Sequence, residues 1–173
     1  MLSKNGVPEK EDLAKFMPSA ERLAQGPVAI VECFQEIPCD PCAGACNKGA
    51  ILPFDNINAL PAIDFELCDG CGLCVAACPG LAIFVIDYTY NDDEAILKIP
   101  HEFVPLPEKG EFVALLNRNG NVLGEGEIIK ALRFKDKTSV VWVLAPKEIA
   151  MDIRAIAPEA YEYKNPLREL SAI

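Results

Sequence analysis

The sequence predicts an α+β protein: a cysteine-bearing domain of short strands and helices, then a small antiparallel β-barrel and a C-terminal helix. Three observations carry this. All eight cysteines fall in two groups between Cys33 and Cys78. Past Pro100, apolar runs of strand length alternate with turn residues, among them Asn119-Gly120, the strongest short-range hairpin signal. Pro146 stands where a last helix would open and Pro158 where it would stop.

Residues 1–26 read as a helical extension. Pro8-Glu9-Lys10-Glu11-Asp12 is a helix start, with Leu13, Phe16 and Met17 at helical spacing. Ser19 caps a second short turn through Leu23, ended near Gly26-Pro27. Residues 27–99 form the cysteine domain. Val28–Glu32 and Ala62–Phe65 are expected strands leading into the two cysteine groups. Leu81–Tyr88 is a third strand, continuously apolar and therefore buried. Asn91-Asp92-Asp93 turns the chain so that Ala95–Ile99 pairs back as a hairpin. Residues 100–157 hold the barrel, from Phe112–Asn117 through Val122–Leu132 and Ser139–Leu144 to a helix reaching about Ile156. Gly124 and Gly126 mark a bend or bulge in its long strand. Residues 158–173 read as an extended tail.

The composition, 51% hydrophobic and 24% charged, is that of a globular chain. No apolar run approaches the roughly 18 residues that span a bilayer, and residues 1–7 lack the apolar core of a secretory signal. A cytoplasmic protein is expected, and in that reducing compartment eight cysteines point to metal ligation before disulfides. The net charge of −10 is concentrated: residues 27–99 carry eleven acids against Lys48 and Lys98, while the flanking segments are nearly balanced. That acidity repels nucleic acid and serves either docking to a basic partner or simple solubility.

The second cysteine group is Cys68-x2-Cys71-x2-Cys74-x3-Cys78-Pro79. This is the bacterial 4Fe–4S run, in which thiolates at every third residue meet one cluster and the fourth cysteine belongs to another. Gly70 and Gly72 let the backbone approach the inorganic sulfides, and Pro79 directs the chain away. The first group, Cys33-x5-Cys39-x2-Cys42-x3-Cys46, is irregular. Glu36 occupies the place of the regular first cysteine, and Asn47 that of the proline. Either Cys33 reaches round through a longer loop to complete a 4Fe–4S site, or the site holds three irons or takes Glu36 as an oxygen ligand. Four thiolates for each of two clusters leave none over, which favours two complete 4Fe–4S clusters. Zinc is the chemical alternative, but its sites use paired Cys-x2-Cys units across a longer gap.

On these runs, residues 27–99 resemble the two-cluster bacterial ferredoxins, which implies a ferredoxin-like fold of two pseudo-symmetric halves. By the logic of those runs, cluster I takes Cys33, Cys39, Cys42 and Cys78, and cluster II takes Cys46, Cys68, Cys71 and Cys74. More narrowly, Glu32-Cys33-Phe34-Gln35-Glu36-Ile37-Pro38-Cys39 with Pro41-Cys42, Cys68-x-Gly70-Cys71-Gly72-Leu73-Cys74 and Cys78-Pro79-Gly80-Leu81-Ala82-Ile83 resembles the small 4Fe–4S subunits of FAD-dependent amino-acid dehydrogenases of the proline, hydroxyproline and opine type. The resemblance runs on through Pro105–Gly110 to about Ile156. It implies a hetero-oligomer in which an FAD-containing subunit oxidises a secondary amine and iron–sulfur subunits pass the electrons on. Asn47 departs from the proline common after the first group.

No nucleophile–base pair, phosphate loop or dinucleotide fingerprint accompanies these groups, so catalysis by this chain alone is not expected. His101, the single histidine, reads as a surface or satisfied residue. Trp142 alternates with Val140 and Leu144 and reads as barrel core. The leading functional class is an electron-transfer subunit, because about 100 residues lie beyond the cluster domain and mean hydropathy is +0.17 despite the charge. A freely diffusing ferredoxin and a zinc-binding interaction module are the alternatives.

Overall fold

In a computed structural model, residues 6–135 and 137–157 are described; the expected tail over 158–173 lies outside them. Two short helices open the chain, α1 (Lys10–Ala14) and α2 (Ala20–Leu23). Glu9 and Asp12 form a reciprocal capping box on α1, and the Ser19 hydroxyl accepts from the Arg22 amide, 3.2 Å away, to cap α2. Strand β1 (Val28–Val31) follows, then α3 (Pro41–Ala45), α4 (Leu73–Ala77), β2 (Ile83–Asp87) and β3 (Glu94–Pro100). The remainder is β4 (Phe112–Asn117), β5 (Val122–Arg133), β6 (Ser139–Pro146), α5 (Lys147–Ala150) and β7 (Ile153–Ile156).

All seven strands belong to one antiparallel sheet in the order β1-β2-β3-β6-β5-β4-β7. The sheet curls into a half-barrel, bringing terminal β7 against β3. Its ladder is open, since β1 and β7 each pair on one side only among the described residues. Strand β3 pairs with β6 along its whole length, from Glu94 opposite Pro146 to Pro100 opposite Val140. The cysteine-bearing segment and the later strands therefore share a single sheet.

That sheet divides the core in two. Val28, Ile30, Phe84, Ile86, Leu97, Leu115, Ile128 and Val143 fill the concave side. Ala29, Val31, Ile83, Val85 and Val140 face the other way and pack with Cys42, Cys74 and Val75. Both faces of β1 and β2 are covered, and for that reason their sequences read as unbroken apolar runs. Strand β3 instead alternates, with Ala95, Leu97 and Ile99 inward and Lys98 on the cysteine side.

Three local expectations are revised, and the expected bulge in the long strand is found. Ala62–Phe65 contributes only an isolated bridge, Ile63 opposite Ile51. One bulge in β5 falls beside Gly124: Leu115 faces Gly124 and Leu116 faces Val122, leaving Leu123 without a partner in β4; a second register shift lies between Ile128 and Lys130, where β5 pairs with β6. Gly126 is needed for closeness, because a Cβ there would lie 2.6 Å from the Leu144 carbonyl oxygen. The last helix stops at Ala150, and Ile153–Ile156 is strand β7. Burying Ile153 and Ile156 in the concave core outweighs helix continuation. Trp142 is half-buried on the cysteine side, with the Lys98 and Lys130 ammonium groups 5.7 and 5.0 Å from its ring centre. Val140, read with it, shares its side of the sheet, while the intervening Val141 and Val143 point into the concave core. His101 is buried, its amide donating to the Ser139 carbonyl; burial holds its pKa below the ordinary imidazole value despite Glu102 nearby.

Candidate metal centre

Helices α3 and α4 repeat one local design. The second residue of each is a cysteine, Cys42 and Cys74, and the residue closing each is another, Cys46 and Cys78. Pro41 starts α3 at the position where a missing N–H costs nothing, and Gly72 starts α4 in the left-handed region, φ 90°. Cys46 and Cys78 leave their helices with extended backbones, ψ 93° and 109°, which turns their thiols off the helix path.

The consequence is an exchange between two cavities. The first, about 380 Å³ with its open mouth included, is lined by Cys33, Cys39, Cys42 and Cys78 among apolar residues such as Val31, Ile37, Phe54 and Ile83. The second, about 330 Å³ on the same measure, is lined by Cys46, Cys68, Cys71 and Cys74 with Ala29, Ile51, Ile63 and Leu73. Each helix thus gives one cysteine to each cavity. Cys33 lines the first cavity, whereas Glu36 is exposed and does not; Asn47 is exposed in the turn after Cys46.

All eight thiols are free. Backbone amides of Ala29, Ile51 and Ala82 donate to the sulfurs of Cys68, Cys46 and Cys78 at 3.3, 3.4 and 3.4 Å, contacts that favour thiolate. Burial opposes it. The Cys42 thiol is pushed up to about 11 by burial, with Cys78 and Cys39 adding to the rise. Cys74 is pushed up to about 12 by burial and then by Cys68, Cys71 and Cys46. Cys33 is raised for the same first reason. Four thiols round an apolar cavity do not ionise together without a cation, so metal loading is coupled to proton release. Among the described residues no three His, Cys, Asp or Glu side chains converge on a point fit for one ion. The thiols line two cavities, four to each, an arrangement that fits a cuboidal cluster held by four cysteines.

Three charged residues support this arrangement without a motif to announce them. Arg22, only 6% exposed, donates from Nε to the Phe65 carbonyl at 2.7 Å and from its other nitrogens to the carbonyls of Gly26, Pro27 and Cys68. Lys98 donates from Nζ to the Gly70 carbonyl, with the Cys71 carbonyl 3.5 Å away. Glu32, next to Cys33, accepts from both Arg118 and Arg154. Burial would raise its pKa, but the hydrogen bonds and charges of Arg154 and Arg118 prevail and hold it below the ordinary carboxylate value. Lys48 and Lys98 being the sole cations of residues 27–99 was a usable signal for Lys98. Arg22 had none, since its four carbonyl partners lie on loops that only the fold assembles. The Phe16 ring also meets Phe34 edge-on, 5.1 Å between centres, so the N-terminal segment abuts both cysteine groups.

At Gly70 the Cys68–Cys71 loop closes on Pro27, the residue before β1. Its φ is +63°, and a Cβ there would lie 2.6 Å from the Pro27 Cβ and 2.7 Å from the Pro27 carbonyl carbon. A left-handed L-residue costs roughly 1–2 kcal/mol, and backbone cannot yield cheaply to the clash. Gly70→Ala is therefore expected to displace Cys68 and Cys71 and lower bound iron toward half, as measured by iron analysis of the purified protein.

Comparisons with known proteins agree with this geometry. The family described as 4Fe-4S binding domain matches residues 61–84, the stretch containing Cys68, Cys71, Cys74 and Cys78. The chain is 30% identical over 92 residues to Protein Pixie of Drosophila melanogaster, covering 48% of this chain and 14% of that protein. It is 35% identical over 52 residues to ferredoxin-type protein NapF of Escherichia coli K12, covering 29% of this chain and 32% of that protein. The chain thus spans about a third or less of the length of these curated relatives. No solved structure matches it. The family match and the similarity to NapF support an iron–sulfur electron-transfer protein with a ferredoxin-type 4Fe–4S segment.

Proposed function

We propose that this chain holds two 4Fe–4S clusters and relays electrons through them within a flavin-dependent dehydrogenase complex. Cluster I rests on Cys33, Cys39, Cys42 and Cys78, and cluster II on Cys46, Cys68, Cys71 and Cys74. The substrate of the complex, oxidised on an FAD-containing partner subunit in the cytoplasm, is a secondary-amine amino acid of the proline, hydroxyproline or opine type. The observation that carries the relay is the exchange of Cys46 and Cys78 between two cavities built on the same pair of helices. It makes the two sites one packed unit.

Bound clusters supply one-electron chemistry at thiolate-held iron. The chain's own residues position the eight sulfurs, line both sites largely with apolar side chains and donate amide hydrogen bonds to three of the sulfurs. The flavin partner is supported by the resemblance of both cysteine runs to small subunits of such complexes. It is supported also by apolar side chains left in solvent beside the first site: Ile37 is 44% exposed, and Ile57, whose carbonyl accepts from the Cys39 amide, is 50% exposed. Exposed apolar surface gathered beside a site is where partners dock. Among the described residues no helix is long and apolar enough to cross a membrane.

Gel filtration of the natively expressed protein tests the reading. The expected result is co-elution with an FAD-containing protein whose amine-dependent reduction bleaches the visible band of this chain. Elution as a lone monomer, with no flavoprotein at its position, would overturn the complex.

A further inference from the structure

The two cysteine cavities differ sharply in charge. Among the described residues no ionisable side chain other than cysteine lines the first; Glu32 beside Cys33 is taken up by Arg118 and Arg154, and the next charged residues in sequence, Glu36 and Asp40, are acids. The second is flanked by cations. Lys48 and Asp69 both line it and pair with each other at 3.1 Å, which cancels their charges. Arg22 and Lys98 are not cancelled in this way. Among the described residues, every hydrogen bond of the Arg22 side chain runs to a backbone carbonyl, that of Cys68 included. Lys98 is anchored on the carbonyls of Gly70 and Cys71, with Asp87 and Asp69 as its acidic neighbours and Lys130 as a cationic one. Two positive charges are thus fixed on the loop that supplies Cys68 and Cys71.

We infer that Arg22 and Lys98 poise the second cluster at a higher reduction potential than the first, making the Cys46, Cys68, Cys71 and Cys74 site the resting place of the first electron. The inference rests on the two-cluster reading above. Reduction adds one negative charge to a cluster that thiolate ligation has already made anionic. A nearby cation stabilises the reduced form more than the oxidised one, most of all where burial limits screening. Net charge and sulfur hydrogen bonding are among the terms that set such potentials, with cluster type and solvent exposure. An electron delivered to cluster I by a one-electron donor of the flavin class then moves to cluster II: the first is reoxidised, the second reduced, and no proton is required. Arg22 and Lys98 touch loop carbonyls and not sulfur, so they act as positioning and charge-setting residues.

The test is a redox titration of the anaerobically reconstituted full chain followed by EPR, with Cys33→Ala used to identify the signal of cluster II. Lys98 lies at the surface edge of the site, so Lys98→Met should fold; Lys98→Arg keeps the charge. The expected result is that cluster II reduces first in the unmodified protein. Lys98→Met should shift its one-electron equilibrium about tenfold toward the oxidised form, about 59 mV, with cluster I unmoved. Lys98→Arg should restore the value, and Arg22→Gln should shift it in the same direction as Lys98→Met. A purely structural role would leave the potential where it was. Iron and sulfide analysis of the same samples separates the two levels of the argument. Unmodified protein with fewer than two clusters overturns the two-cluster reading. With two clusters present, an inverted order, or a cluster II potential indifferent to Lys98→Met, overturns this inference alone.

Discussion

Replacing Cys78 with alanine is expected to remove the cluster beside Cys33, Cys39 and Cys42 while leaving the cluster beside Cys68, Cys71 and Cys74 in place. Along the chain Cys78 belongs to the second group, four residues beyond Cys74. In space it closes α4 with an extended backbone and lines the first cavity. Pairwise substitution distinguishes the two assignments, because sites that share one cluster are not additive. Cys78→Ala combined with Cys33→Ala should cost no more iron than either alone. Cys78→Ala combined with Cys74→Ala should empty both cavities, as read by iron content and the EPR spectrum of the reduced protein. The reverse pattern would mean that each run serves its own cluster and that the exchange of Cys46 and Cys78 is wrong.

Substituting Glu32 by alanine should cost about 3–5 kcal/mol, the usual penalty for stranding a buried charge. Its carboxylate accepts from Nε of Arg118 at 3.1 Å and Nε of Arg154 at 3.0 Å, and each arginine adds a second bond from Nη2. The three side chains are only 8%, 13% and 15% exposed, and the Arg154 guanidinium lies 3.7 Å above the Phe84 ring. The topology explains why this one carboxylate matters. Glu32 follows β1 and Arg154 lies in β7, the two outer strands of an open ladder, while Arg118 sits in the β4–β5 turn. The ion triad ties together edges that no ladder hydrogen bond joins. Denaturant unfolding of the loaded protein should show the loss, and Arg154→Met in the Glu32→Ala background should recover part of it by removing a stranded cation. A loss below about 1 kcal/mol, the range of an exposed pair, would mean that the edges are held by something else.

The sequence made the chemistry easier to read than the architecture. The 3-3-4 stepping of Cys68 to Cys78 is local, so ligand geometry leaves its mark directly in spacing. The irregular reach of Cys33 could be bracketed but not decided from spacing, since a five-residue loop admits both Cys33 and Glu36; the fold places Cys33 on the cavity and leaves Glu36 in solvent. Short elements with local signals, such as the Ser19 cap and the β2–β3 hairpin, were legible for the same reason. What escaped depends on distant partners. Ile153–Ile156 carries apolar residues three apart, a spacing that suits a helix, yet it becomes a strand because β4 offers it an edge. Trp142 could be assigned to a packed surface but not to the correct side of the sheet. Arg22 leaves no local mark in the sequence, because its four carbonyl partners come from separate segments that only the fold brings together.

Counting iron and acid-labile sulfide per chain in anaerobically purified full-length protein, with the visible spectrum before and after dithionite, tests the central claim most directly. Two 4Fe–4S clusters predict about eight of each per chain and a broad visible band that bleaches on reduction. Stoichiometric zinc with no visible band, or iron for a single cluster with one set of four cysteines still reactive to a thiol reagent, would contradict it.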